Sequence, residues 1–219
     1  MPTVKHATLL LVSLLMSTSV YAQSSASGMS HHGSGASHMS GDMKHEEMKH
    51  GDMKHESANA SKMPFDHQFL DTMSMHHAHG IQMAQLAQER ATHDELKQMA
   101  KKMHDDQQED IKKMQAMKEQ WYAGKGDAMN MQMPGMKESL QSHDKNMEKL
   151  KAAKDEQFDT MFVAMMSKHH TDGRKMANAA LKKAEHQDVK EMAKKIADSQ
   201  KKDNAEMAAM QKEWKQAKK

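Results

Sequence analysis

Residues 65–84 read FDHQFLDTMSMHHAHGIQMA, and residues 158–177 read FDTMFVAMMSKHHTDGRKMA. Both stretches belong to one repeat, because residues 65–122 align with residues 158–215 without a gap at an offset of 93, and about 25 of the 58 pairs are identical. In each copy apolar residues recur at intervals of three and four, as on one face of an α-helix. A second such stripe follows a turn near residues 91–93, so each copy predicts an antiparallel helical hairpin.

Two hairpins with one apolar face each must bury those faces against each other, which predicts a four-helix bundle. The linker between the copies, residues 123–157, begins with an irregular part that contains Gly124, Gly126, Pro134 and Gly135. Helical periodicity returns from Met136 to about Ala153, and such a helix spans roughly 25 Å. A long crossover of this kind is typical of ferritin-like folds. We therefore predict an all-α, ferritin-like four-helix bundle over residues 63–219.

The N-terminal segment predicts export to the periplasm. Residues 1–22 have the features of a signal peptide: Lys5, then an apolar run to Met16, then Val20-Tyr21-Ala22 before the cleavage site. The apolar run is too short to span a bilayer, so no membrane anchor is expected. Residues 23–62 are rich in Ser, Gly, His and Met without an apolar period, which predicts a disordered, metal-binding tail.

The composition indicates a copper-binding protein. The chain has 27 Met and 17 His but no Cys, and its net charge is +2. Thioethers are soft ligands that suit Cu(I), while imidazoles suit Cu(II) and other borderline metals. A charge so close to zero argues against a nucleic-acid partner. We expect copper as Cu(I) and Cu(II), with silver or zinc as further metals.

Two groups of candidate ligands lie outside the predicted bundle helices. The linker contains Met129, Met131, Met133 and Met136, named here the methionine loop, which could wrap Cu(I) or simply pack against the bundle. The tail contains three Met-Lys-His triplets, which predict metal capture with little selectivity; as an alternative, the tail is only solvated. The tail candidates are His45, His50, His55, Met43, Met48 and Met53.

A third group lies on the first helix of each copy. The adjacent pairs His76-His77 and His169-His170 stand at about the level of Gln107 and Gln200, which could orient them as metal ligands. In the alternative, His, Gln and Asp satisfy each other as a polar layer without metal. Gly80 and Gly173 would allow close helix approach. Further candidates on these helices are His79, Met73, Met83, Met166 and Met176, whose spacing favours burial, and Met75 and Met165, which are predicted at the surface edge.

The repeated Phe–Met–His-His–Met-Ala pattern resembles the CopM-like family of exported Met- and His-rich proteins. The resemblance covers about residues 65–215, and it implies a ferritin-like bundle, copper binding and copper tolerance. We therefore expect a periplasmic protein that sequesters or buffers copper, with transient contacts to periplasmic copper-export or copper-carrier proteins.

No enzyme is expected, because a ferritin-like di-iron centre needs Glu-x-x-His and neither copy contains it. Three other functions fit the sequence. The first is a broader buffer for silver, zinc or nickel, and the second is a methionine-based oxidant sink that works without metal. The third is a metal-independent interaction protein, against which the His-rich tail argues.

Overall fold

The computed structural model describes residues 56–217. This part of the chain forms helices α1 (Phe65–Arg90), α2 (Asp94–Tyr122), α3 (Met136–Ala152), α4 (Asp155–Lys183) and α5 (Gln187–Ala217), after a 3-10 turn at Ala60–Lys62. The predicted fold class is confirmed: two helical hairpins, α1–α2 and α4–α5, are joined by a crossover that contains α3. The predicted signal peptide and the tail as far as residue 55 lie outside the described residues. None of the described helices is long and apolar enough to cross a membrane.

The hairpins meet along α1 and α4, which run antiparallel. Helix α2 flanks α1, helix α5 flanks α4, and α3 lies on both α1 and α4. Because α1 is covered from three sides, 17 of its 26 residues are buried, against 8 of 29 in α2. Two apolar clusters result, one containing Phe69, Met73 and Met176 and the other Met83, Phe158 and Phe162. Along both α1 and α4, the helical turn that carries the paired histidines lies between the residues of one apolar cluster and the residues of the other.

Each hairpin closes the interhelical turn of the other through a buried acid. The Asp159 carboxylate accepts hydrogen bonds from the backbone N–H groups of Thr92 and His93, each at 2.9 Å, and contacts His93 Nδ1 at 2.5 Å. Such N–H groups at a helix N-terminus have no partner within the helix, so an anion there is stabilising.

The equivalent acid of the first copy repeats the arrangement. Asp66 accepts from the N–H groups of Glu185 at 3.0 Å and His186 at 2.8 Å, and contacts His186 Nδ1 at 2.7 Å. Trp121 stacks on His186, and Trp214 stacks on His93, with ring centroids 4.0 and 4.1 Å apart. We call these two sets the clasps. They fix the two hairpins to each other at opposite ends of the α1–α4 contact.

The irregular half of the linker is held against α1. Ala128 N–H donates to Asp71 at 2.7 Å, and Asn130 N–H donates to the Thr72 hydroxyl at 2.9 Å. Ser57 and Met129 exchange two hydrogen bonds of 3.0 Å. The last tail residues therefore differ from the predicted disorder: residues 56–62 pack beside the linker.

Helix α3 is fixed at both ends. Gly135 precedes it with φ of +90°, and a Cβ there would lie 2.4 Å from the Asp172 carbonyl oxygen, so only glycine fits. At the other end the Arg90 guanidinium donates to the carbonyl oxygens of Leu150, Lys151 and Ala153 at 3.1, 2.6 and 2.6 Å. This placement lays α3 over the contact between α1 and α4.

Candidate metal centre

Four buried imidazoles meet where α1 and α4 cross. His76 and His77 come from α1, His169 and His170 from α4, and none is more than 6% exposed. The His76 and His169 rings stack with centroids 3.7 Å apart and planes 11° apart. We call these four residues the imidazole layer. The sequence predicted all four as candidates, and the structure brings the two pairs together across the repeat.

Glycine makes room for this layer. A Cβ at Gly173 would lie 2.8 Å from His76 Cε1 and 2.7 Å from Gln200 Oε1. A Cβ at Gly80 would lie 2.9 Å from His169 Nε2 and 2.3 Å from Gln107 Oε1. The two glycines therefore do allow a close approach, as predicted. The groups that lie against them are imidazole and amide side chains rather than the backbone of a neighbouring helix.

Burial keeps three of these imidazoles, those of His76, His169 and His170, neutral. It lowers the pKa of His76 and of His169 well below 6.5, and neighbouring imidazoles lower both further. Burial, together with the charge of His77, lowers the pKa of His170 to about 3. Because a metal binds only the unprotonated ring nitrogen, a neutral imidazole is ready to act as a ligand without first losing a proton.

Many polar atoms of the layer have no hydrogen-bond partner in the protein. They include both ring nitrogens of His76 and His170, His77 Nδ1 and His169 Nε2, as well as Gln107 Oε1 and both amide atoms of Gln200. Buried polar groups are nearly always paired, so a cluster of unpaired ones calls for a water or an ion. The alternative in which His, Gln and Asp satisfy each other accounts for the contact of His77 with Asp110 at 3.7 Å, but it leaves the other atoms of this group without a partner in the protein.

The two copies differ beside the layer. Asp110 lies 2.6 Å from Lys195 Nζ and 3.7 Å from His77 Nε2, and although burial opposes it, these contacts hold the pKa of Asp110 below its usual value. Its counterpart Asp203 is 3.9 Å from Lys102, and burial raises the pKa of Asp203 to about 6. The electrostatic field on the layer is thus asymmetric although the backbone is repeated.

On the α3 side, thioethers and imidazoles line a common cavity. This cavity, of about 10 Å³, has room for roughly one water and is lined by Met83, Met165, His143 and His169, among others. His143 stacks on the predicted candidate His79 at 3.9 Å and bonds Gln82 at 2.9 Å. The sequence prediction missed His143 as a site residue. Its position on the apolar side of the linker helix was the available signal.

The other predicted methionines are mostly core residues. Met75 was predicted at the surface edge, which is wrong: it is 7% exposed, because α1 is covered on three sides. Met165 is half-buried, as its place at the edge predicted. Met73, Met83, Met166 and Met176 are fully buried.

The methionine loop packs on one of the two apolar clusters. Met133 and Met136 are buried there, and Met129 and Met131 lie half-buried against the same cluster. The packing alternative thus describes the loop in this structure, and its role as a Cu(I) ligand stays a prediction. The tail candidates Met43, His45, Met48, His50, Met53 and His55 lie outside the described residues.

Carboxylates and imidazoles alone do not build a metal site in this part of the chain. Within residues 56–217, no three or more His, Asp or Glu side chains are grouped so that they could hold a metal ion. A site here must therefore use an imidazole pair or include thioether sulfur. Thioether sulfur favours Cu(I), whereas an imidazole pair alone suits copper and other borderline metals.

Comparison with known proteins agrees with this architecture. The family model described as "Domain of unknown function (DUF305)" matches residues 13–118 and residues 66–212. The chain belongs to the DUF305 family. No curated protein sequence matches it. Residues 66–118 fall within both matches, as expected for a chain with an internal repeat.

Solved structures extend the comparison. A DUF305 protein from Streptomyces coelicolor, named as secreted, is 25% identical with a TM-score of 0.60, over 67% of this chain and 90% of that one. CopM in its Cu(I)-bound form is 28% identical with a TM-score of 0.55, over 68% and 96%. CopM in its Cu(II)-bound form is 27% identical with a TM-score of 0.57, over 68% and 97%. The predicted resemblance of this DUF305 chain to CopM is confirmed.

Proposed function

We propose that this DUF305 protein binds Cu(I) at the imidazole layer and buffers or sequesters copper in the periplasm, without catalysing a reaction. The observation that carries the proposal is the set of unpaired ring nitrogens on neutral, buried histidines. An ion bound there would supply the partner that these nitrogens lack. Two of the four imidazoles, from His76, His77, His169 and His170, would hold it.

The surroundings favour a soft monovalent ion. A doubly charged ion costs more to desolvate than a singly charged one, so charged ligands stabilise it more in a buried site. Burial keeps three of the four rings neutral, and Asp110 at the edge of the layer is already paired with Lys195. The resemblance to CopM, which has been solved in Cu(I)-bound, Cu(II)-bound and silver-bound forms, supports copper as the metal. Cu(II) capture belongs, in this proposal, to the histidines of the tail.

An anaerobic competition titration of the full chain with Cu(I) and a coloured Cu(I) chelator tests the proposal. We expect His76→Asn with His169→Asn to weaken the tightest Cu(I) equivalent by at least about 100-fold, since each lost ligand to a metal costs several kcal/mol. His67→Asn is the matched control. His67 is also fully buried, but it stacks on Tyr122 at 4.6 Å and belongs to α1 outside the layer. Equal Cu(I) affinity in the layer variant and in the wild type would contradict the proposal.

The alternatives predict other outcomes in the same assay. A broader buffer would bind Zn(II) at the layer with an affinity comparable to that for Cu(I). An oxidant sink needs accessible thioethers, and none of the methionines among the described residues is exposed. Among the described residues, half-buried methionines such as Met129, Met131 and Met165 are the most accessible ones for that function. A metal-independent interaction protein would bind no Cu(I) at all.

A further inference from the structure

A second cavity connects the imidazole layer with solvent on the side away from α3. It lies between α2 and α5, has a volume of about 10 Å³ and is lined by His77, Asp106, Asp110, Gln200, Ser199 and Asp203, among others. Asp106 is 43% exposed and Ser199 is half-buried, so the cavity begins at the surface. His77 and Gln200 are buried and form its inner end.

The donors along this cavity change from hard to soft. The Asp106 carboxylate stands at the surface, and the imidazole of His77 stands at the inner end. Between them lie the buried carboxylates of Asp110 and Asp203 and the buried amides of Gln107 and Gln200. Gln200 is 4% exposed and neither amide atom has a partner, while Gln107 Oε1 and His77 Nδ1 are also unpaired. These unpaired, buried atoms line a cavity that has room for one water molecule or one small ion. Such a row of donors offers a cation a ligand at each step. It contains no complete set of ligands that would hold the cation in place.

Two lysines neutralise the carboxylates at the mouth. Lys195 Nζ lies 2.6 Å from Asp110, and Lys102 Nζ lies 2.5 Å from Asp106 and 3.9 Å from Asp203. Both lysine side chains are nearly half exposed, at 48% and 49%. The two ammonium groups therefore reach the carboxylates from the solvent side, where an entering cation can displace them.

We propose that the carboxylate-lined cavity between α2 and α5 is the path by which Cu(I) enters and leaves the imidazole layer, with Lys102 and Lys195 as displaceable counter-charges. This inference rests on the proposed function and adds the route by which the ion reaches its binding site. Negative groups in a narrow, low-dielectric opening raise the local concentration of cations and their rate of entry. A path used in both directions must affect loading and release alike and leave the equilibrium affinity unchanged.

The test compares two double variants of the full chain. Asp106→Asn with Asp203→Asn removes two carboxylates from the cavity. Asp105→Asn with Asp198→Asn is the matched control, because it also removes one acid from α2 and one from α5, each paired with a lysine four residues earlier but outside the cavity. The two rates to measure are Cu(I) uptake by the empty protein and Cu(I) transfer from the loaded protein to excess bulky chelator.

We expect the cavity variant to slow both rates about tenfold relative to the control, because the carboxylates lower the barrier that a cation crosses in either direction along the path. The Kd should stay within about twofold. Lys102→Gln with Lys195→Gln should act in the opposite direction and speed both rates.

Equal rates in the cavity variant and the control would overturn the path and point to the α3 side instead. A Kd weakened tenfold or more in the cavity variant would make these carboxylates ligands and would also overturn it. Absence of Cu(I) binding by the wild-type chain would overturn the proposed function, and the path with it.

Discussion

The clasp at Asp159 gives a stability prediction that can be worked from contacts. Its carboxylate is fully buried and accepts from two backbone N–H groups while it contacts His93 Nδ1. Asp159→Asn keeps the shape but removes the charge and turns one acceptor into a donor. Loss of a cap costs about 1–2 kcal/mol and weakening of a charge-assisted bond about 1.5–3, with partial overlap. We expect a loss of about 2–3 kcal/mol in the free energy of unfolding.

The repeat supplies an internal check. Asp66→Asn should cost a similar amount, because Asp66 makes the same contacts with Glu185 and His186. The two clasps are separated by about the length of α1, roughly 35–40 Å, so the double variant should lose the sum of the two effects.

Urea unfolding followed by far-ultraviolet circular dichroism measures all three variants, with the exposed Asp105→Asn as a control expected within about 0.5 kcal/mol of wild type. A loss below about 1 kcal/mol at either clasp would refute the view that these acids join the hairpins.

The remaining predictions concern the linker and Asp203. Replacing the methionine loop by four leucines should remove at least one Cu(I) equivalent and change apo stability by less than about 1.5 kcal/mol, as thermal melts and Cu(I) titration would show; unchanged Cu(I) stoichiometry would make these methionines packing residues. Because burial raises the pKa of Asp203 to about 6, the folded state holds this proton more tightly than the unfolded chain, and wild-type stability falls as pH rises from about 4 to 6. Asp203→Asn should therefore match wild type near pH 3 and exceed it by about 1–3 kcal/mol at pH 8 in urea titrations; no pH dependence of the difference would contradict this. Gly135→Ala should cost more than about 2 kcal/mol because it combines positive φ with contact on the Asp172 backbone, whereas Gly124→Ala, at φ +71° in open space, should cost about 1 kcal/mol; equal losses would argue against that contact.

Much of the fold could be predicted because the sequence contains an internal repeat of the helical hairpin. The offset of 93 residues between the copies indicated two hairpins, and the renewed periodicity after Met136 indicated the crossover helix. The clasps also left a signal, since Asp66, His93 and Trp121 are identical to their counterparts. A repeat does not reveal whether such residues contact their own copy or the other one, so the reciprocal contacts could not be deduced.

The parts that occur once were harder to predict. His143 belongs to the linker helix, and no internal repeat shows which face of α1 and α4 it covers. Met75 was predicted at the surface because only the single apolar stripe of its helix was expected to be buried. A helix with neighbours on three sides buries a much wider arc. The pairing of His76 with His169 depends on how far α1 and α4 slide along each other, which periodicity alone does not fix.

The central claim is that the first soft ion goes to the imidazole layer. Side-chain NMR of the full chain tests it directly, with ¹⁵N-labelled histidine rings and ¹³C-labelled methionine methyl groups titrated with Ag(I) as a redox-stable stand-in for Cu(I). The account predicts that the first equivalent shifts the ring nitrogens of His76, His77, His169 and His170, before the methyl groups of the methionine loop or the tail histidines respond. First shifts confined to the loop and the tail, with the layer unchanged, would contradict it.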